Sequence, residues 1–547
     1  MTAGRVSRRQ AIGFGVGAAA AGALGGPLLA RGTQEALAAA GRIGQELRQP
    51  RVLRSAHGEL AVQLTTRPGL VDMGAPRLVR TWTYNGAVPG YTWDVRPGDT
   101  IRVHLRNRLP ELHHPPVMRM DRPHEWTTTN LHTHGLHVSP SEKADNVFLV
   151  IKPGKDDHLV IPLPGDHTGG LFWYHPHHHG GVTQALRAGQ AGALIVRGEI
   201  DRVPEVRAAA EKVMVLQAIE LGDHYELLDP NPNPKTPEES FFPRTRVLYT
   251  VNGVLKPKVT MYPGEVQRWR ILNGAANAFM SLHLKRHDFH VLAWDGLTLD
   301  AAEQTDVVML SSGNRVELLV KAGRPGRYNL VLTPGSSGMP DIPGMPTAGP
   351  PGPGDAPPGP GDAPPGHEAP MPGFPLVQGE LNRRTILTVE VKGHGREMGL
   401  PTALPAFDPP ILPIARRRDF AFTINEPDGM FMNFGIDHHA YDPARPPTRP
   451  LLGTAEEWTL RNDFDPAMGV HAHVYHIHTN PFKITKRNGA LLAKPLWRDT
   501  YVLTKRAGDS LTFESNFVDY PGKFVEHCHI VSHEDLGMMS EIRVTRP

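Results

Sequence analysis

Two stretches of this chain carry the same signals in the same order. Tyr84 to Asn107 reads YNGAVPGYTWDVRPGDTIRVHLRN and Val251 to Asn273 reads VNGVLKPKVTMYPGEVQRWRILN. Each has Asn-Gly, then a proline, then Pro-Gly and an acidic residue, then a run that alternates apolar with polar. Asn-Gly and Pro-Gly are turn dipeptides, and the alternation of Ile101, Val103 and Leu105 is that of a strand with one buried face. A weaker third copy runs from Ile424 and Asn425 to GTAEEWTLRN, Gly453 to Asn462. Three copies of one β unit predict an all-β chain of three similar domains.

The length and composition agree with that reading. A chain of 547 residues is long enough for several cores, and its 54 prolines and 56 glycines suit many short strands joined by turns. Expected boundaries are 41–200 for the first domain, 201–335 for the second and 376–547 for the third, with a short helix near Val203 to Val213 joining the first two. Residues 336–375 form a proline- and glycine-rich linker that includes the repeat PPGPGDAPPGPGDAPPG. Its methionines Met339, Met345 and Met371 are read as incidental rather than as ligands. Lys and Arg total 58 against 56 Asp and Glu, with no basic run, which argues against nucleic acid as a partner.

Residues 1–40 read as a twin-arginine export signal, with Arg8 and Arg9 ahead of a weakly apolar Ala/Gly stretch that is less suited to a membrane anchor. The mature protein is then expected in the periplasm, at the cell surface or secreted, with no stable membrane insertion after cleavage, and as a monomer. The chain has one cysteine, so it has no internal disulfide and the thiol is free for another purpose.

That cysteine, Cys528, stands between His527 and His529 in EHCHIVSHEDLGMM. Twenty-nine histidines scattered through such a chain would give roughly one or two His-x-His patterns by chance. The chain has six, in four clusters: NLHTHGLH with His132 and His134, WYHPHHHGG with His175, His177 and His179, HAHVYHIH with His471, His473, His476 and His478, and HCH itself. On a strand, residues two apart share a face, so a His-x-His pair presents two imidazoles side by side while Cys528 points the other way. His533 and Met538 follow closely enough to fold back onto the sulfur. A thiolate, two imidazoles and a thioether suit an electron-transfer copper better than zinc, which favours cysteine-rich or open three-ligand sites.

With these motifs, the chain resembles the three-domain multicopper oxidases of the bacterial laccase type, from about Val52 to the end. The resemblance implies three cupredoxin-like Greek-key β-sandwich or barrel domains and four copper ions, one type 1, one type 2 and a type 3 pair. It assigns His473, Cys528, His533 and Met538 to the type 1 copper, which lies in the third domain. His132 and His476 fall to the type 2 copper, and His134, His175, His177, His478, His527 and His529 to the type 3 pair. The resulting trinuclear cluster lies between the first and third domains. The implied reaction couples four one-electron oxidations of a small reducing substrate, a phenol or aromatic amine, to reduction of dioxygen to water. Electrons would enter at Cys528 and cross to its neighbouring histidines.

Water formation needs protons, and the resemblance points to Glu534, beside His533, and to Asp145 in KADNVF as their donors. His137, His178, His179 and His471 match no ligand position and are read as supporting or surface groups; His113, His114, His438 and His439 are read as solvated loop pairs. Two other functions compete: a cuprous oxidase that detoxifies copper, and a copper-free structural protein of the cell envelope. The complete ligand set argues against the second. It also argues against a copper nitrite reductase, whose pattern lacks the His-Cys-His bridge.

Overall fold

The computed structural model describes residues 43–112, 119–236, 239–335, 384–425, 432–468, 471–503 and 506–547. The signal segment, His113, His114, Met339, Met345 and Met371 lie outside them. The architecture is three β-sandwiches in succession, as expected. The first pairs a five-stranded with a four-stranded sheet, the second a six- with a five-stranded sheet, and the third a six- with a four-stranded sheet. Three apolar cores fill them, centred on residues such as Ile101 and Val103, Trp269 and Val316, and Trp458 and Phe513.

The repeated sequence becomes a repeated turn. Asn85 and Gly86 both have positive φ, with reciprocal hydrogen bonds between Tyr84 and Ala87. Asn252 and Gly253 do the same between Val251 and Val254. In each copy the asparagine Oδ1 accepts a neighbouring strand's N–H at 2.8 Å, from Thr65 in one and Val215 in the other. The third copy is displaced from the expected place. Its turn is Asp437-His438, where Asp437 accepts from Ala421 at 2.8 Å, and not at Ile424-Asn425, which ends the preceding strand. Aspartate replaces asparagine there because both short side chains tolerate a left-handed backbone and offer the same acceptor.

The equivalent strands Thr100–Asn107, Val266–Asn273 and Thr454–Asp463 carry buried asparagines near their ends. Asn107 Nδ2 donates to the carbonyls of Thr127 and Ile151, and Asn462 Nδ2 donates to that of His471. Each thus holds a loop that leads into a histidine cluster.

Two boundaries shift from expectation. Strand Arg384–Val391 pairs with Lys258–Met261 and Gly326–Gly335, so it belongs to the second sandwich. The third sandwich therefore starts after Val391 rather than at 376, and the expected linker 336–375, which lies outside the described residues, falls in sequence between two paired strands of the second unit rather than between units two and three. The expected helix at Val203 to Val213 is limited to Pro204–Ala208, preceded by a 3-10 turn at Glu199–Arg202, because strand Ala210–Leu221 already pairs from Ala210.

Candidate metal centre

Strand Gly522–Cys528 lies in the four-stranded sheet of the third sandwich, between His473–Ile477 and Met539–Val544. Its register sets His476 opposite His527 and Tyr475 opposite Cys528. Alternation along the strand sends the His527 ring and the Cys528 thiol to opposite faces. Two buried sites result.

On the sulfur side, Cys528 Sγ lies 3.6 Å from His473 Nδ1 and 3.7 Å from His533 Nδ1, and those two nitrogens are 3.2 Å apart. Metal–nitrogen bonds of roughly 2.0 Å and a metal–sulfur bond of roughly 2.3 Å, at tetrahedral angles, put ligand atoms about 3.3 to 3.6 Å apart. The three atoms fit one ion. Met538 is fully buried in the same core cluster, and its main chain bonds Cys528 N–H at 3.0 Å and His533 C=O at 2.8 Å. Burial pushes the Cys528 thiol up to about 12, so it stays protonated unless a metal ion displaces the proton.

The other face meets eight imidazoles. His177 Nε2 and His478 Nε2 lie 3.1 and 3.4 Å from His527 Nε2. His134 Nδ1 lies 3.3 Å from His529 Nε2, with the His175 ring 5.8 Å from each of their rings. The His132 and His476 rings are 5.8 Å apart, and neither Nε2 has a protein partner. His175 Nε2 is also unpartnered. A buried ring nitrogen without a partner costs free energy unless something else binds it, and several such atoms converging on one cavity fit metal ions. Burial drives every one of these histidines below its ordinary pKa, leaving neutral rings with a lone pair to donate.

The His-x-His expectation holds in outcome, though only His132–His134 lies wholly within a strand. The other pairs straddle strand ends, where His175, Ile477 and Cys528 are the last strand residues.

The outer nitrogens are held by oxygen acceptors. His132 Nδ1 is 3.0 Å from the Asp145 carboxylate, His175 Nδ1 bonds Pro176 C=O at 2.9 Å, and His476 Nδ1 bonds Asp499 C=O at 2.8 Å. Each bond fixes the tautomer and turns the other nitrogen inward. Asp145 is buried and also accepts from Thr133 N–H at 2.8 Å. Glu534 is fully buried, with one oxygen 3.3 Å from His527 Nδ1 and the other 3.6 Å from His177 Nδ1. Burial first, and then Asp535, raise its pKa well above the ordinary carboxyl value.

The other histidines take lesser parts. His137 bonds Thr479 C=O and pairs with Asp519, His178 pairs with Glu125, and His179 and His471 bond the carbonyls of Met120 and Met468. His438 and His439 are exposed. Sequence reasoning passed over Asn130, which accepts from His177 N–H at 2.6 Å, and Asp535, which accepts from the N–H groups of Gly180, Val182 and Thr183. It also passed over Asp499, Thr500 and Arg315. No local pattern marks these residues, because each acts on a partner far away in sequence.

Three family models described as multicopper oxidase match residues 124–200, 217–348 and 413–547, together more than half of the chain. The chain is 24% identical to a multicopper oxidase of Staphylococcus haemolyticus, over 88% of each chain. It is 23% identical to a laccase of Bacillus subtilis, over 86% of this chain and 91% of that one. A multicopper oxidase of Campylobacter jejuni of solved structure, described as a metallo-oxidase, shares the fold at a TM-score of 0.68 and 20% identity, covering 92% of this chain and 96% of that one.

Proposed function

The chain belongs to the multicopper oxidase family, a copper-dependent oxidoreductase that uses oxygen, and on that premise we propose that it is a laccase-like oxidase of phenols and aromatic amines. Its complement is four coppers: one held by His473, Cys528, His533 and Met538, one by His132 and His476, and a pair by His134, His175, His177, His478, His527 and His529. One observation carries the reading: neighbouring residues on one strand, His527 and Cys528, face two separate buried ligand sets. When bound, copper supplies the one-electron redox chemistry and the reduction of dioxygen to water.

The protein's own residues supply the rest. The backbone from Cys528 to His527 and His529 is the shortest covalent link between the two sites. His473 and His533 orient the sulfur, and the ring of Phe434, stacked on His533 at 4.1 Å, helps keep water from it. Glu534 is placed to hold a proton beside His527 and His177, and Asp145 beside His132. Arg8 and Arg9 support export by the twin-arginine route as part of the same reading, and among the described residues no helix is long and apolar enough to cross a membrane.

A second reading, oxidation of copper(I), draws on Met432, which is buried in the same apolar cluster as Cys528 and Met538, with Met468 packed against it. Oxygen uptake by copper-loaded protein with a phenol, a bulky aromatic dye and copper(I) in turn separates the two. Turnover of copper(I) alone selects the second reading, and a four-copper preparation that oxidises none of the three refutes both.

A further inference from the structure

The second sandwich contributes none of the predicted copper ligands, yet one of its loops lies against the eight-histidine cavity. In Ser311 to Arg315, SSGNR, Ser312 Oγ is 3.3 Å from His529 Nδ1. Gly313, at φ +85°, sits so close that a Cβ there would be 2.9 Å from the His529 ring. Asn314 Nδ2 donates to Thr500 C=O at 2.9 Å.

Arg315 is fully buried, and all five of its guanidinium N–H groups are matched. Nε donates to Leu171 C=O at 3.3 Å in the first sandwich. Nη1 donates to Gly313 C=O at 3.0 Å and Nη2 to Asp295 C=O at 2.9 Å in the second. The remaining two hold both oxygens of the Asp499 carboxylate in the third, Nη1 to Oδ1 at 2.8 Å and Nη2 to Oδ2. One side chain therefore ties all three units together behind the cavity.

What it ties down matters for two rings. Asp499 C=O accepts from His476 Nδ1, which leaves Nε2 as that ring's lone pair. Thr500 Oγ1 donates to Asp499 Oδ1 at 2.8 Å, so its lone pairs accept from His134 Nε2 at 3.0 Å, which leaves Nδ1 as that ring's lone pair. The two rings, stacked at 3.8 Å, present opposite nitrogens, and Asp499 with Thr500 sets both. A planar fork with paired parallel bonds can fix a carboxylate in plane, which a lysine ammonium cannot do.

We propose that Arg315 is a positioning residue for the oxygen-reducing copper site: through Asp499 and Thr500 it selects the tautomers and orientations of His476 and His134. The proposal rests on the copper assignment above. It implies that the second sandwich serves this site without supplying a ligand. Removing partners one step behind metal ligands typically weakens metal binding by roughly 10- to 100-fold.

The test uses full-length, copper-loaded protein. Wild type is first counted for copper and examined by electron paramagnetic resonance. Fewer than four coppers in wild type would overturn the copper assignment and this inference with it. Given four, Arg315→Lys is expected to lose copper from the His132 and His476 position, by about 10- to 100-fold in affinity, and to alter the type 2 signal. The blue absorption at Cys528 and the KM for the reducing substrate should stay unchanged while kcat falls. Thr500→Val removes the hydroxyl that both rings touch, 3.0 Å from His134 Nε2 and 3.2 Å from His476 Nδ1; it is expected to perturb the same signal and decides the matter alone if Arg315→Lys does not fold. Four retained coppers with an unaltered type 2 signal in the folded variant overturns the inference, as does a parallel loss of blue and type 2 copper, the mark of a merely structural role.

Discussion

Glu534 and His527 face each other in the closed interior, with Oε2 3.3 Å from Nδ1 and neither oxygen of Glu534 accepting an aligned hydrogen bond among the described residues. A carboxyl group is rarely left buried in this state, and here it stands directly behind two rings of the oxygen-reducing cavity.

Replacing it with a group of the same shape that cannot release a proton isolates that role. Glu534→Gln is expected to slow dioxygen reduction by about 10²- to 10⁴-fold, the usual worth of a positioned proton donor, with the blue absorption and copper count unchanged. Stopped-flow reoxidation of the reduced enzyme by oxygen measures it, and a wild-type rate would remove Glu534 from the proton path.

Met538 is buried beside Cys528 and joined to it by a main-chain hydrogen bond. A weak axial thioether lowers the potential of a thiolate copper relative to a noncoordinating aliphatic group. Met538→Leu should therefore raise the type 1 potential in a redox titration, at a packing cost under about 1.5 kcal/mol because the volumes match. No rise would argue against axial ligation.

Acid should destabilise the protein through His167. Its Nδ1 donates to Thr168 C=O at 2.8 Å and its Nε2 accepts from His137 N–H at 3.0 Å, an arrangement open only to the neutral ring. Burial lowers its pKa to about 4, with His137 adding to the effect and the Thr168 carbonyl and Asp166 opposing it. Above pH 6.5 the ring is neutral whether folded or unfolded and contributes no pH dependence. Between 6.5 and 4 only the unfolded chain takes up the proton, so stability falls by about 3 kcal/mol over that window. His167→Gln has nothing to titrate, so its thermal midpoint should fall less than that of wild type between pH 7 and pH 4.5. Equal falls in the two proteins would refute the assignment.

Asp535, in the third sandwich, accepts from Gly180 N–H and Thr183 N–H at 2.7 Å each and so caps helix Val182–Ala188 in the first. Asp535→Ala leaves buried donors unpaired and is expected to cost about 2–4 kcal/mol in denaturant unfolding. It should also loosen the HPHHHGG segment that carries His175 and His177. A loss under about 0.5 kcal/mol would show the cap to be incidental.

Much of the site was legible because its chemistry is local. Cys528 and its neighbours are separated from one another by strand alternation alone, and His-x-His spacing is short enough to survive where strands end at His175 or Cys528. The repeated turns were legible for the same reason, since Asn85 and Asn252 act through their own backbone and the strand beside them. The third turn was misplaced because Asp437-His438 performs the same job with different letters.

From its residues alone, the chain determined which atoms can bind metal, in what order along the sequence, and which side of one strand each would face. The tertiary structure decided what those atoms meet. It brought His132 and His476 together from the first and third sandwiches and returned Arg384–Val391 to the second. It also gave Arg315 one carboxylate and three carbonyls drawn from all three units. The physical reason is range: backbone alternation and turn geometry act over a few residues and are written in spacing. Pairing an arginine with an aspartate 184 positions away depends on how whole sandwiches pack, and no local pattern records it.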